Sequence, residues 1–183
     1  MKKAFVFVMI FCFNELYALS VDDFIIQQPD SGSSFYHPKV YLYQIWGDTL
    51  IKDDLIKTET YEQWNRYKDV VIYYYKNIEI VTARYIQNVP YRSIVNVVVT
   101  GKKYSTLSNF TIGDSISNVI AFYGIPTYEG YDSEEGLTYS VYKKNDPFFD
   151  FGTDEDPVRE YLISFMHKDG MIQRIIVTYV HNM

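Results

Sequence analysis

The amino-acid sequence predicts an α+β fold, with helices packed on one face of an antiparallel sheet and arranged as two tandem units. Three observations support this prediction. A short amphipathic helix pattern with clear ends occupies residues 110–126. Two alternating apolar segments flank an Asp-Gly turn over 160–180, which is a strong hairpin signal. A weaker version of this helix-and-strand pattern occurs earlier, over 45–100.

The first 20 residues have the layout of a secretory signal peptide. Lys2 and Lys3 precede an apolar run, Ala4–Phe13, and the small residues Ala18 and Ser20 follow. A retained membrane anchor and a first core strand are the alternatives. The apolar run is too short for an anchor, because a helical span takes about 20 residues. We therefore expect an exported protein, periplasmic or extracellular, that keeps no stable membrane span after processing.

Charge and cysteine content narrow the function classes. The chain of 183 residues has 17 basic and 23 acidic residues and a formal net charge of −6. Such a charge disfavours nucleic acid as a partner, because binding to phosphates needs Lys and Arg. Cys12 is the only cysteine and lies in the predicted signal peptide, so the exported chain would have neither disulfides nor thiol chemistry.

After the signal peptide, the sequence divides into three segments. Residues 21–44 are interpreted as an N-terminal arm and linker, since a polar Gly/Ser-rich stretch lies there. A first α+β repeat is predicted over 45–105 and a second over 106–183. Gly47–Leu50 matches Gly113–Ile116, and each opens a helical pattern. Chance similarity between short segments is the alternative to duplication.

The best-defined element is a helix that ends at Gly124. Asp114 or Ser115 is a suitable N-cap, because a short side-chain oxygen accepts from the first free backbone N–H groups. Gly124 readily adopts the left-handed conformation after the last turn, and Pro126 prevents continuation. One apolar stripe at helical spacing contains Ile116, Val119, Ile120 and Tyr123.

The last strand of each repeat is predicted to have two different faces. The apolar face, expected to carry the helices, contains Val95, Val97, Val99, Ile175 and Val177. The mixed face contains Ile94, Asn96, Val98, Thr100, Ile172, Arg174, Ile176 and Thr178. A sheet covered on one side only is typical of α+β layer architectures.

These motifs resemble the SmpA/OmlA (BamE-like) module. The matching residues are Ile112–Ser115, Tyr123–Pro126, a Tyr-rich strand over 137–142, and Phe165 ahead of the Asp169–Ile172 turn. The tandem plan is similar to that of β-lactamase inhibitory proteins. The resemblance implies an exported binding or assembly protein that is not an enzyme. The chain departs from the lipoprotein members, because it has no suitable lipid-acceptor cysteine, and none of the β-lactamase-binding loops can be matched.

Motifs for catalysis are missing from the sequence. There is no Gly-x-Ser-x-Gly, phosphate-loop or dinucleotide fingerprint. His37, His167 and His181 are scattered, which disfavours a metal site. We therefore expect no enzyme activity and no cofactor.

An acidic and aromatic loop over 145–160 is the most distinctive insertion. Its carboxylates could surround a hard cation such as Ca²⁺, serve a secreted hydrolase, or simply be solvated. Phe148 and Phe149 lie among these charges and suggest contact with a partner.

Tyrosine-rich strands indicate a recognition surface. Tyr73, Tyr74 and Tyr75 are consecutive, so they must occupy both sides of their strand. Tyrosine offers a large contact area with a polar tip, although such rings could equally cap a small core.

The hypothesis is a non-enzymatic module that binds another protein, at the cell envelope, through an open sheet face and the acidic loop. The candidate partner-binding residues are Tyr74, Asn96, Tyr142, Arg174, Phe148 and Phe149. A secreted hydrolase using loop carboxylates and a purely structural scaffold are the alternatives.

Overall fold

A computed structural model describes residues 26–28, 33–36, 54–62, 67–85, 93–131, 134–143 and 159–181. Within these ranges the chain forms eleven strands and one helix. The predicted α+β class, with several helices packed on a sheet, is therefore wrong: the described part of the chain is mostly β.

An eight-stranded antiparallel sheet dominates the fold. In chain order its strands are β3 (Leu55–Glu62), β4 (Tyr67–Tyr75), β5 (Ile78–Tyr85), β6 (Ser93–Val99), β8 (Tyr128–Tyr131), β9 (Glu134–Lys143), β10 (Arg159–Lys168) and β11 (Met171–His181). They lie in the spatial order β3-β4-β5-β6-β11-β10-β9-β8. Each group of four consecutive strands is thus a meander, and the two meanders meet where β6 pairs with β11.

The remaining described elements are short. A three-stranded sheet has the order β2-β1-β7 and consists of β1 (Ile26–Gln28), β2 (Ser33–Tyr36) and β7 (Ser105–Thr106). The helix α1 spans Ile116–Tyr123.

The strand β3 replaces part of the helix predicted for the first repeat. The opening of the helical pattern at Gly47 falls on residues outside the described ranges, but residues 55–62, with which the pattern overlaps, are extended and pair with β4. Thr58 and Thr60 are β-branched and suit a pleated strand better than a helix. The proposed boundaries at 45–105 and 106–183 stay a prediction, and each segment supplies four strands to the same sheet.

The helix α1 ends where the sequence predicts. The Ser115 hydroxyl caps its start by accepting from the Ser117 N–H at 3.4 Å. Gly124 has φ +80°, and its N–H donates to the Ile120 carbonyl at 2.8 Å. The predicted apolar stripe is correct for Val119, which is buried, but wrong for Ile120, which is 43% exposed. A helix this short buries a narrow strip, so only part of a four-residue stripe contacts the sheet.

The hairpin between β10 and β11 is also confirmed, and it holds the start of α1. Asp169 and Gly170 both have positive φ, 52° and 75°, as the turn of a two-residue hairpin requires. The Ile116 N–H donates to the Gly170 carbonyl at 2.9 Å, and the Ile172 N–H donates to the Asp114 carbonyl at 2.9 Å. These two bonds fix the helix on one face of the sheet.

The main hydrophobic core lies between that face, α1 and the three-stranded sheet. Phe110, Tyr123 and Phe165 lie at its centre, with ring centroids 5.7–6.0 Å apart. The predicted apolar face is correct for Val97, Val99, Ile175 and Val177, all of which belong to this core.

Irregular pairing displaces three residues from their predicted faces. The register of β5 and β6 shifts between Val81 and Thr82. As a result, Val95 belongs to a small cluster with Val70 and Ala83, whereas Ile94 packs on the main core. A similar shift beside His167 places Ile172 in the main core instead of on the mixed face. A bulge reverses the alternation of side chains, and the sequence has no clear signal for it.

Candidate functional site

One face of the eight-stranded sheet is turned away from α1, and we call it the distal face. Strand pairing places Lys57 opposite Tyr74, and Tyr74 opposite Glu79, in one row across β3, β4 and β5. The row continues through Val98 of β6 to Ile176 of β11. The polar and aromatic residues that define the candidate site on this face are Lys57, Glu59, Tyr61, Tyr74, Glu79, Asn96 and Arg174.

The structure brings three of the predicted partner-binding residues onto this face: Tyr74, Asn96 and Arg174. All three are half-buried. Asn96 lies opposite Thr178 of β11, and Arg174 lies two residues before Ile176 on the same strand. Tyr74 is three strand spacings from Ile176, about 14 Å. The three side chains therefore belong to one surface that crosses four adjacent strands.

The other predicted site residues cannot be placed in the same way. The Tyr142 backbone lies in β9 opposite Glu160, but its side chain is outside the described part of the structure. Phe148 and Phe149, with nearly all of the acidic loop, fall on residues 144–158, which are also outside it.

Exposure of the distal face differs between its two halves. At the β3 side Lys57 and Tyr61 are exposed. Toward the other side Ile176, Ser164 and Thr138 are buried, and the last two share a hydrogen bond between hydroxyls at 2.8 Å. The small cluster of Val70, Ala83 and Val95 on the same face is also buried. The accessible polar groups therefore lie between β3 and β11, around this cluster.

Glu59 is the centre of a hydrogen-bond network at the β3 side. Its carboxylate accepts from the Lys57 ammonium at 2.7 Å, the Tyr61 hydroxyl at 2.8 Å and the Tyr74 hydroxyl at 2.9 Å. The Lys57 ammonium also lies 4.2 Å from the centroid of the Tyr74 ring, within the range of a cation–π contact. Three donors on one carboxylate fix the orientation of both tyrosine rings.

This network shifts the acidity of its members in opposite directions. The hydrogen bond from Lys57, followed by those from the two tyrosines, lowers the pKa of Glu59 to about 2. Burial, together with the hydrogen bond to Glu59, raises the pKa of Tyr74 to about 12. At neutral pH the site therefore presents a fixed carboxylate and neutral phenols.

Glu79 and Arg174 extend the charged part of the site farther along the face. Burial raises the pKa of Glu79, and the positive charges of Arg174 and Lys57 act against that shift. Lys57, Glu59, Glu79 and Arg174 thus place positive and negative groups on the same surface. Such a surface can recognise a polar partner through complementary charges and hydroxyl groups.

Metal ligands are not grouped in the described residues: no set of three or more His, Cys, Asp or Glu side chains there could hold an ion. Nor does the described part of the chain contain a helix of the length and apolarity needed to cross a membrane.

Sequence reasoning missed Lys57, Glu59 and Glu79. Lys57 and Glu59 fall at the end of the helical pattern that is predicted to open at Gly47, and in a helix the side chains of positions 57, 59 and 61 would not share a face. The alternation of Lys57, Glu59 and Tyr61 with Thr58 and Thr60 is the strand signal that could have identified them. Glu79 has no local signal of its own in the sequence.

Comparison with known proteins found no matching family model, no matching curated protein and no matching solved structure. The resemblance to the SmpA/OmlA module therefore stays a prediction from the sequence motifs.

Proposed function

We propose that this chain is an exported, non-enzymatic module that binds another protein, at the cell envelope, through its distal face. The observation that carries the proposal is the placement of Tyr74, Asn96 and Arg174 on one surface, beside the network around Glu59. Tyrosine and arginine are the residues most often found at binding hot spots, because they combine large contact area with directed polar groups.

The accessible part of the distal face is smaller than one side of a typical interface. From β3 to β11 it spans five strands spaced by about 4.8 Å and about 24 Å long, which gives roughly 500–600 Å². A typical specific interface covers about 800 Å² on each partner. The proposal therefore includes the predicted contact through the acidic loop as well as this surface.

Preorganisation supports the same role. The hydroxyl of Tyr74 is held by Glu59, and its ring lies against the Lys57 ammonium. A side chain that is already ordered before binding loses less conformational entropy in the complex. The predicted signal peptide and the predicted contact through the acidic loop, with Phe148 and Phe149, are consistent with a partner at the cell envelope.

Affinity capture tests the proposal. The purified protein is immobilised and exposed to an envelope fraction, and captured proteins are quantified by mass spectrometry. For the triple variant Tyr74→Ala, Asn96→Ala, Arg174→Ala we expect the specifically captured protein to decrease at least about 10-fold, as hot-spot truncations do.

A matched control changes exposed residues away from the distal face, with Asn118→Ala on α1 and Lys102→Ala in the turn after β6, beside Gly113. The control should retain full capture. Equal capture by the triple variant and the wild type, with both folded, would show that the distal face is not the binding surface.

A further inference from the structure

The strand β3 is the end strand of the eight-stranded sheet. Among the described residues it pairs on one side only, with β4. Its side chains are unusually accessible for a strand of eight residues: Leu55 is 51% exposed, Ile56 66% and Tyr61 43%. An accessible edge carrying apolar side chains is a template for pairing with another strand.

The charge pattern of β3 is self-complementary about Thr58. Lys57 and Glu59 flank this residue on the distal face. If a second copy of β3 pairs antiparallel with the two-fold axis at Thr58, Lys57 of one copy lies opposite Glu59 of the other, and the reverse pair forms on the other side of the axis. Oppositely charged residues directly across a strand pair stabilise the pairing.

Charge also selects this register over its neighbours. Residues directly opposite each other must lie on the same face, so the neighbouring symmetric pairings are centred on Lys57 and on Glu59. The first would place Lys57 opposite Lys57 and the second Glu59 opposite Glu59, which brings like charges together. The pairing centred on Thr58 instead forms two ion pairs between residues 57 and 59, beyond the irregularity between Leu55 and Lys57. Register in a sheet is chosen by such side-chain matches.

We propose that β3 is a self-association edge, at which two copies of this chain join β3 to β3, antiparallel and centred on Thr58. The two eight-stranded sheets then form one continuous sheet, with both distal faces on the same side. We assign a second copy of the chain to this edge because the charges of Lys57 and Glu59 on one β3 complement those on another. This inference does not depend on the proposed envelope partner.

Sedimentation of the purified protein at a series of concentrations tests the charge pairing. We expect a reversible monomer–dimer equilibrium. Lys57→Glu and Glu59→Lys should each raise the dimer Kd at least about 10-fold, because each brings like charges face to face. The double variant Lys57→Glu, Glu59→Lys should return within about 3-fold of the wild type, since the charges are again opposite. Lys68→Glu on β4, an exposed position with the same change of charge, is the matched control and should leave Kd unchanged.

Cysteine cross-linking gives an independent reading of the register. Thr58→Cys places identical thiols directly opposite across the axis, at the 4.5–5.5 Å Cα separation of antiparallel pairs, which suits a disulfide. We expect mild oxidation to give a covalent dimer. Thr60→Cys is the control, because its two copies would be about 13 Å apart and too distant to link.

Four results would overturn the proposal. The first is a protein that remains monomeric over the whole concentration range. The second is a dimer whose Kd is unaffected by either single charge reversal, or is not recovered by the double variant. The third is equal cross-linking of the two cysteine variants. A strand from a different protein pairing with β3, with no homodimer, also contradicts it.

Discussion

The Glu59 carboxylate accepts three hydrogen bonds although its side chain is 35% exposed. Each of its donors lies on β3 or β4, so the network depends on two neighbouring strands only. At the scale of single residues, the site is therefore set by which side chains alternate onto the distal face. The acidity of Glu59 is the property that reports this arrangement most directly.

For Glu59 we predict a side-chain pKa of about 2 in the folded protein, against an ordinary value of 4.5. Because the pKa is lower in the folded state, the unfolded state binds the proton first as the pH falls. The stabilisation from Glu59 is thus fully present above about pH 4.5 and is lost as the pH falls through about 2. Carboxyl-detected NMR titration measures the pKa.

The donor from Lys57 is the largest cause of this shift. Lys57→Met should therefore move the Glu59 pKa toward 4.5, whereas Lys68→Met, at an exposed position on β4, should leave it unchanged. A wild-type midpoint near 4.5 would contradict the network.

Two elements, α1 and the β10–β11 hairpin, act as one unit. The start of the helix lies beside the turn of the hairpin. Backbone hydrogen bonds of 2.8–2.9 Å link Gly113, Asp114 and Ile116 to Gly170 and Ile172, on either side of Met171. The buried side of α1 then packs on the aromatic centre of the core. Local turn chemistry and long-range packing support each other here.

For α1 we predict opposite outcomes at adjacent positions. Val119 is fully buried, so Val119→Ala should lower the free energy of unfolding by about 2 kcal/mol, through lost burial and the cavity left behind. Ile120 is 43% exposed, so Ile120→Ala should change it by less than about 0.5 kcal/mol. Urea denaturation measures both. Similar losses at the two positions would contradict the orientation of the helix.

For the hairpin turn we predict a purely conformational effect. Gly170 has φ +75° and a Cβ added there would contact nothing within 4 Å. Gly170→Ala should therefore cost about 1 kcal/mol from the left-handed backbone alone. Asp169→Asn is the control and should be nearly neutral, since Asn tolerates positive φ. A neutral Gly170→Ala in thermal denaturation would show that the turn differs in solution.

The whole molecule is organised by the pairing of β6 with β11. Val97 of the first meander lies opposite Val177 of the second, and both are fully buried. The main core contains residues of both meanders, such as Ile80 and Ile163, in addition to α1. Neither meander can bury its apolar face without the other, which makes the described sheet one cooperative body.

At this scale we predict a single unfolding transition. Far-UV circular dichroism and tyrosine fluorescence should give coincident urea curves, because both meanders share one core. Native-state hydrogen exchange should be slowest in β6 and β11, which pair with each other at the centre of the sheet. The end strands β3 and β8 are the internal comparison and should exchange faster. Two separate transitions, one for each meander, would contradict the shared core.

The sequence by itself determined the features that depend on neighbouring residues: the N-cap at Ser115, the stop at Gly124, the Asp-Gly hairpin, and the alternation that places Val97 and Val177 in the core. Such signals are local, because caps and tight turns need particular residues at fixed spacings. Alternation along β6 and β11 also places Asn96 and Arg174 opposite the core face, but pairing between strands decided that Tyr74 joins them.

Only the tertiary structure decided the rest. Residues 55–62 form a strand that pairs with β4, and this pairing outweighs the helical pattern predicted from Gly47 where the two overlap. The bulges beside Val81 and His167 moved Val95, Ile94 and Ile172 to other faces. The network around Glu59 exists because β3 and β4 are adjacent. Contacts between strands depend on long-range pairing, which no local pattern of residues specifies.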